Sequence, residues 1–294
     1  MTEKKHPSIY TPSPTLRPTV GPILSVIKET PRTKAFTLSA PEIARRAMPG
    51  QFIMVWIPGT DEIPMSISST RVSDGEVEFA VAKVGDATTV LHTMKKGQLL
   101  GIRGPLGQGF RFPTRVQEGP LLLVGGGCGT PPLLFAAEFA ASKGFKVHVA
   151  LGAKIKAELL FYRRFRRYAE TMMVATDDGS FGIKGTAVDA TKQLIDTNPT
   201  YVTCFACGPE GLLSNLVSFF TKYTIPLQVS LERYMKCGVG ICGHCIIDKK
   251  GTRVCHEGPV FNAKDLKNTD FGKWTRDETG KRQLASIDST SCAI

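Results

Sequence analysis

The sequence predicts an antiparallel β-barrel, then a parallel α/β domain, then a small C-terminal cysteine-rich module. Three observations carry this reading. Short alternating segments fill the first third, apolar strands alternate with helix-like stretches in the middle, and four cysteines cluster near the end. At 294 residues and 42% hydrophobic content, the chain suits two domains, or one with added modules. Residues 1–18, rich in Pro, Thr and Ser, read as a flexible N-terminal arm. The barrel is expected over 19–114, the α/β domain over 115–226, the cysteine module over 227–262 and a polar, charged extension over 263–294.

Each element has a sequence reason. In the barrel, Ala35-Phe-Thr-Leu, Gln51-Phe-Ile-Met-Val-Trp-Ile and Val77-Glu-Phe-Ala-Val-Ala are separated by turn signals at Pro49-Gly50, Pro58-Gly59 and Asp74-Gly75. In the α/β part, the buried strand Leu121-Leu-Leu-Val leads through a Gly-rich turn into a helix over Leu133–Ser142. Strands over Lys146–Leu151 and Met172–Thr176, a helix over Ala187–Ile195, a strand over Tyr201–Ala206 and a helix over Gly211–Lys222 follow. No internal repeat is present.

The cysteines carry the sharpest chemistry. Cys237, Cys242 and Cys245 have the C-x4-C-x2-C spacing of a plant-type [2Fe–2S] ligand loop, and Cys255 follows as the fourth thiolate. A short loop wrapping one cluster must turn tightly, and Gly238, Gly240 and Gly243 supply the permissive φ values. Four thiolates also suit structural zinc, although zinc ribbons usually carry two C-x2-C knuckles and this chain has one. His244 and His256 lie in or beside the loop, but four thiolates complete a site without them.

Bulk properties narrow the setting. Eight cysteines in a long chain with no apolar leader do not read as a secreted disulfide framework, so a reducing cytoplasm is expected. The uncharged run 119–137 is too rich in Gly and Pro for a membrane span. Cys292 stands third from the end, so the prenylation pattern is missed. A net charge of +11 without an aromatic-interleaved basic stripe argues against nucleic acid and fits an acidic protein partner.

Several motifs suggest nucleotide binding. Val124-Gly-Gly-Gly-Cys-Gly-Thr-Pro-Pro132 joins strand to helix, where Gly125, Gly126, Gly127 and Gly129 let the backbone approach a pyrophosphate, or serve only chain reversal. Cys207-Gly208-Pro209 ends another strand, where a thiol either meets a nicotinamide ring or packs the strand end. Asp177 and Asp178 end the third strand. They would bond ribose hydroxyls and repel a 2′-phosphate, favouring NADH over NADPH, or form a solvated Asp-Gly turn. Val81-Ala-Lys-Val-Gly-Asp-Ala-Thr-Thr89 runs into a helix and offers a second phosphate seat, and Gly101–Phe110 is a glycine-broken strand end that shapes a crevice.

In order, these motifs resemble the electron-transfer subunits of dihydroorotate dehydrogenase, within the ferredoxin–NADP reductase superfamily. The resemblance spans residues 20–262. It rests on Ile63-Pro-Met-Ser66, Arg103-Gly-Pro-Leu-Gly-Gln-Gly-Phe110, Gly125-Gly-Gly-Cys-Gly129, Thr176-Asp-Asp-Gly-Ser180, Cys207-Gly-Pro209 and Glu232–Cys245, with Glu257-Gly-Pro-Val-Phe261 after the last cysteine. It implies an FAD-binding β-barrel, an NAD-binding α/β domain and a [2Fe–2S] module. Pro64, Met65 and Ser66 would line the flavin ring with Ser66 near its reactive nitrogen, Ala80, Val81 and Ala82 would lie along it, and Ala87, Thr88 and Thr89 would hold the pyrophosphate. Ile63 stands where the family usually has an arginine that neutralises flavin phosphate, and Lys83 is a substitute cation.

The implied route runs between NAD(H), with its nicotinamide beside Cys207, FAD and the cluster held by Cys237, Cys242, Cys245 and Cys255. From there it leads to or from an FMN-containing catalytic dihydroorotate dehydrogenase subunit in pyrimidine biosynthesis. Ser66 and Cys207 would be the catalytic pair, and Lys236, Lys249 and Lys250 would ring an exposed cluster edge. Related subunits serve hydrogenases, sulfite reductases and ferredoxin–NAD(P) transhydrogenases. A zinc-stapled, non-redox binding module is the reading from another class.

Overall fold

The computed structural model describes residues 17–116, 119–197 and 200–285. Most of the expected N-terminal arm, and Cys292, lie outside these residues. Strands β1 (Thr19–Lys28), β2 (Thr33–Ser39), β3 (Phe52–Trp56), β4 (Glu62–Arg71), β5 (Glu76–Ala82) and β6 (Leu99–Leu106) close a barrel in the order β1-β2-β5-β4-β3-β6. Helices α1 (Pro41–Arg46) and α2 (Asp86–Thr93) are set into its connections. Val77, Phe79 and Val81 of β5 point inward on alternate positions and are fully buried, as period-2 patterning requires. Phe36 stacks on Phe79 with ring centroids 5.7 Å apart. Ile63, in the position resembling the family's arginine, is buried in this core.

The second layer is a seven-stranded sheet. Its strands are β7 (Leu121–Gly126), β8 (Val147–Ala153), β9 (Thr171–Thr176), β10 (Ile183–Lys184), β11 (Thr203–Cys207), β12 (Leu227–Ser230) and β15 (Val260–Asn262), in the order β10-β9-β8-β7-β11-β12-β15. All pairings are parallel except β12 with β15. β7 is buried along its whole length because both sheet faces are covered. Leu121 and Leu123 pack beneath α3 (Thr130–Ser142). Leu122 and Val124 face α5 (Ala187–Thr197) and α6 (Glu210–Phe220). A short helix, α4 (Tyr162–Phe165), sits between β8 and β9, in a stretch whose sequence signalled no helix.

The cysteine segment is tied into the nucleotide sheet at both ends. Its first residues form β12 and its last form β15. Between them lie the small hairpin β13 (Ile246–Ile247) with β14 (Thr252–Arg253) and the turn α7 (Val254–Glu257). Within the described part of the polar extension, β16 (Trp274–Arg276) pairs with β17 (Arg282–Leu284). Asp248 joins it to the cysteine segment by accepting from Arg276 Nη2 at 3.0 Å. No described helix is long and apolar enough to cross a membrane.

Barrel and sheet meet through aromatic and ionic contacts. Phe110 stacks on Phe205 at 4.6 Å. Arg164 of α4 donates to Glu78 of β5 at 2.7 Å and to Glu138 of α3 at 3.4 Å, and Ser69 of β4 donates to Glu138 at 2.6 Å. Burial holds the Glu138 carboxyl above its ordinary range. Replacing Arg164 with Met leaves two poorly solvated carboxylates facing each other. We expect a loss of roughly 1–3 kcal/mol by denaturant titration at pH 7. A carboxyl raised in the folded state costs stability as pH rises through its pKa, so the deficit should shrink on going to pH 5.

Candidate functional site

The carboxyl ends of β7, β11 and β12 lie level in parallel register and face barrel strands β4 and β5. Cys207 is opposite both Gly125 and Ser230. One cleft between the layers is lined by Pro64, Met65 and Ser66 from β4, Ala80 and Ala82 from β5, and Cys207 from β11. Sequence-expected residues from both halves of the chain therefore meet here. Val81 does not join them through its side chain, which strand alternation turns into the barrel core.

Ser230 and Glu232, which the sequence motifs do not mark as cleft residues, also line it. The signal was available, because Ser230 ends β12 as Cys207 ends β11, and strand C-termini face the ligand crevice. Burial pushes the Glu232 carboxyl up to about 7, with the Glu210 charge adding to the effect. Burial also pushes the Cys207 thiol well up, with help from Glu232, so it is a neutral, packed group at ordinary pH. Arg233 also lines the cleft: its Nη1 donates to the Glu232 carbonyl at 2.9 Å, its charge opposes the rise of the Glu232 carboxyl, and Glu210 accepts from its Nη2 at 2.9 Å.

A second cavity opens where Gly126, Gly127 and Cys128 meet Pro209 and Asp177. The glycines have distinct reasons. A Cβ on Gly129 would lie 2.2 Å from the Gly208 nitrogen, so the two strand-end turns touch only without side chains. Gly127 has φ +54° and open space before it, as a backbone cradle for a ligand needs. Gly125 is covered by Leu133 and is a packing glycine. Asp178 does not line this cavity; its side chain closes a turn by accepting from the Ser180 N–H at 2.9 Å. Arg32, from the β1–β2 hairpin, and Lys154, just after β8, contribute cations that the sequence motifs did not mark.

A third cavity includes Gly85, Asp86, Ala87 and Thr88 at the start of α2, with Pro64, Lys236 and Glu278 also lining it. The Thr88 hydroxyl is engaged locally. It accepts from the Gly85 N–H at 2.9 Å and donates to the Gly85 carbonyl at 2.9 Å, so it caps its own helix. Thr89 and Lys83 line none of these three cavities. Two cations from the cysteine segment line the α2 seat, Lys236 and the Glu210-paired Arg233.

The cysteine loop is preorganised. Gly238, Gly240 and Gly243 have φ values of +67°, +80° and +69°, as the wrapping loop requires. Backbone N–H groups aim at sulfur: Gly240 donates to Cys255 Sγ at 3.2 Å, Ile241 to Cys237 Sγ at 3.3 Å and Cys255 to Cys245 Sγ at 3.3 Å. Burial opposes the Cys237 thiolate, but hydrogen bonds from Cys242, Val239 and Ile241 outweigh it and hold the thiol down at about 6. Side-chain hydrogen bonding pairs Cys237 with Cys242 and Cys245 with Cys255. Among the described residues, no three His, Cys, Asp or Glu side chains converge as a single-ion site. Two thiol pairs, each with donors to sulfur, are the donor set that two bridged irons take. Cys245 and Cys255 are buried, whereas Cys242 is exposed.

Gly240 gives a direct check on this loop. An added Cβ would sit 2.8 Å from His256 Cβ at a φ that L-residues disfavour by about 1–2 kcal/mol. Gly240→Ala should lower iron and acid-labile sulfide per purified chain while far-ultraviolet circular dichroism stays unchanged.

Similarity to known proteins agrees with this geometry. The family described as the iron–sulfur cluster binding domain of dihydroorotate dehydrogenase B matches residues 232–267. The chain is 39% identical over 267 residues to a Methanocaldococcus jannaschii protein, covering 90% of this chain and 98% of that one. It is also 39% identical over 266 residues to one from Methanothermobacter thermautotrophicus, covering 90% and 97%. Both relatives are named "Probable dihydroorotate dehydrogenase B (NAD(+)), electron transfer subunit". Among solved structures, an NADH-dependent reduced ferredoxin-NADP oxidoreductase superposes with a TM-score of 0.76 at 27% identity, covering 86% of this chain and 90% of that one. A ferredoxin NADP+ reductase from Neisseria gonorrhoeae shares the fold, with a TM-score of 0.60 at 20% identity over 70% and 92% of the two chains. With its barrel, its parallel sheet and its four-cysteine loop, the chain belongs to the family of dihydroorotate dehydrogenase B electron transfer subunits.

Proposed function

We propose that this chain carries electrons between NAD(H), FAD and a [2Fe–2S] cluster, to or from a catalytic dihydroorotate dehydrogenase subunit in pyrimidine biosynthesis. The observation that carries the reading is the convergence of Pro64–Ser66, Cys207 and Glu232 on one cleft, with the cysteine loop beginning five residues after Glu232. Bound FAD exchanges two electrons with NAD(H) and single electrons with the cluster, and that chemistry belongs to the cofactors.

The protein's part is to position and tune. Ser66 and Ala80 take one side of the flavin cleft, and Cys207 presents an uncharged thiol that packs against a ring without adding a charge beside it. Glu232, with its carboxyl near 7, holds or releases a proton there at ordinary pH. The Gly126–Gly127 turn offers backbone N–H groups to a pyrophosphate, and Asp177 faces the ribose. At the start of α2, backbone N–H groups and Lys236 take the flavin phosphates, with Lys236 in place of the arginine that Ile63 replaces. Cys237, Cys242, Cys245 and Cys255 hold the cluster.

Electrons leave or enter at the exposed edge. Cys242 is exposed there and its neighbour Ile241 is 83% exposed, an apolar tip with Lys236, Lys249 and Lys250 in the same segment. Such a tip suits docking to an acidic-rimmed partner. The relatives' naming as electron transfer subunits supports a catalytic subunit as the partner, and we infer that this subunit carries FMN. The likeness to the NADH-dependent ferredoxin-NADP oxidoreductase supports a second reading, in which another reductase partner takes its place.

Mixing the purified chain with the catalytic subunit should give dihydroorotate-dependent NAD⁺ reduction that neither protein shows alone. Absence of that coupling with both cofactor sets loaded would favour the second reading. Ile241→Asp should slow the coupled reaction at least tenfold and leave NADH-dependent dye reduction by this chain within twofold of wild type. Lys236→Gln should weaken FAD retention on dialysis, and Lys83→Gln should not.

A further inference from the structure

The barrel grips the cysteine loop through one buried cation. Arg103 of β6 has a side chain only 10% exposed. Its Nε donates to Glu62 Oε1 at 2.6 Å, and its Nη2 donates to Glu62 Oε2 at 2.6 Å. The same Nη2 donates to the carbonyl oxygen of Cys237 at 2.9 Å. Glu62 and Arg103 stand on β4 and β6, the two strands that flank β3. The bridge therefore crosses β3 near Met54, whose register partners are Pro64 and Arg103. Gly238 packs on this same Met54, where a Cβ would approach to 2.8 Å.

A cross-strand ion pair needs only two partners. The third bond, to the backbone of the first cysteine of the loop, gives this pair a role beyond stapling the barrel. Glu62 lies two residues before Pro64, where β4 enters the flavin cleft, so one guanidinium ties the flavin-side strand to a cluster ligand. The fork fixes direction as well as distance, because both carboxylate oxygens are engaged.

We propose that the Glu62–Arg103 pair is a positioning and charge-balancing device for the [2Fe–2S] cluster. It holds Cys237 against the barrel at a fixed separation from the flavin cleft, and it keeps the field at the cluster near neutral. This rests on the reading of Cys237 as a cluster ligand. Reduction adds one negative charge to the cluster, and the potential follows the net charge and hydrogen bonding around it. An unpaired guanidinium beside Cys237 therefore stabilises the reduced state, and an unpaired carboxylate destabilises it. Removing either partner should shift the potential, with opposite signs.

The test is an electron-paramagnetic-resonance-monitored redox titration of the full-length holoprotein, comparing wild type with Glu62→Gln, Arg103→Gln and Arg103→Lys. Glu62→Gln should raise the cluster midpoint potential and Arg103→Gln should lower it. Arg103→Lys, which keeps the charge and loses the fork, should fall between Arg103→Gln and wild type. If Arg103→Gln does not load iron, Glu62→Gln and Arg103→Lys still decide the matter. A purely packing role would move Glu62→Gln and Arg103→Gln in the same direction or leave both potentials unchanged, and either result overturns the proposal. A wild-type protein without a [2Fe–2S] signal would remove the cluster reading itself, a failure distinct from a loaded cluster that ignores both substitutions.

Discussion

The pairing of β12 with β15 is the constraint on which the site depends. Gln228, Val229 and Ser230 lie opposite Asn262, Phe261 and Val260, so the 29 residues between the two strands must leave the sheet and return to it. Because β12 is parallel to β11 and β15 antiparallel to β12, the excursion starts at the carboxyl edge of the sheet, where ligands of open α/β sheets bind. The cysteine loop is thereby delivered to the same edge as Cys207 and Glu232. An independent module on a linker would give no such placement, and the distance from nucleotide to cysteine would be free to vary.

A second set of contacts presses the loop onto the barrel. Gly238 lies against Met54, Arg103 holds the Cys237 carbonyl, and Gly107 meets Gly258 and Pro259 across the return strand. The two glycines at these approaches leave no room for a side chain, since an added Cβ would come within 2.6 Å of its neighbours at Gly107 and 2.8 Å at Gly238. The electrostatics follow the same division. Inside the cleft Cys207 is held as a thiol, Glu232 is balanced near 7 and Arg233 is paired with Glu210, while the lysines of the cysteine segment are exposed.

Much of this was legible in the sequence, and the residues show why. Period-2 patterning located Val77, Phe79 and Val81, and the apolar run at Leu121–Val124 announced a strand covered on both faces. The cysteine spacing and its glycines located the loop. What stayed hidden depended on tertiary contacts. Strand alternation, which marks β5 so clearly, also turns Val81 into the core and away from the cleft. The Thr88 hydroxyl looked like a phosphate ligand and is used as a helix cap. Lys83 is near the α2 seat in sequence, yet Lys236, far along the chain, lines it. Glu232 and Arg103 open two of the quoted motifs, but the roles of their side chains come from a parallel strand end and from a partner across β3.

The central property of this chain is that it takes electrons from NADH into both a flavin and a cluster. The most direct measurement is an anaerobic absorption and electron paramagnetic resonance series on the freshly purified chain, with NADH added stepwise and NADPH in parallel. The expected result is a yellow-brown protein whose flavin and iron–sulfur bands bleach with NADH, a reduced [2Fe–2S] signal, and a much slower response to NADPH. A colourless protein carrying stoichiometric zinc and indifferent to NADH would contradict it.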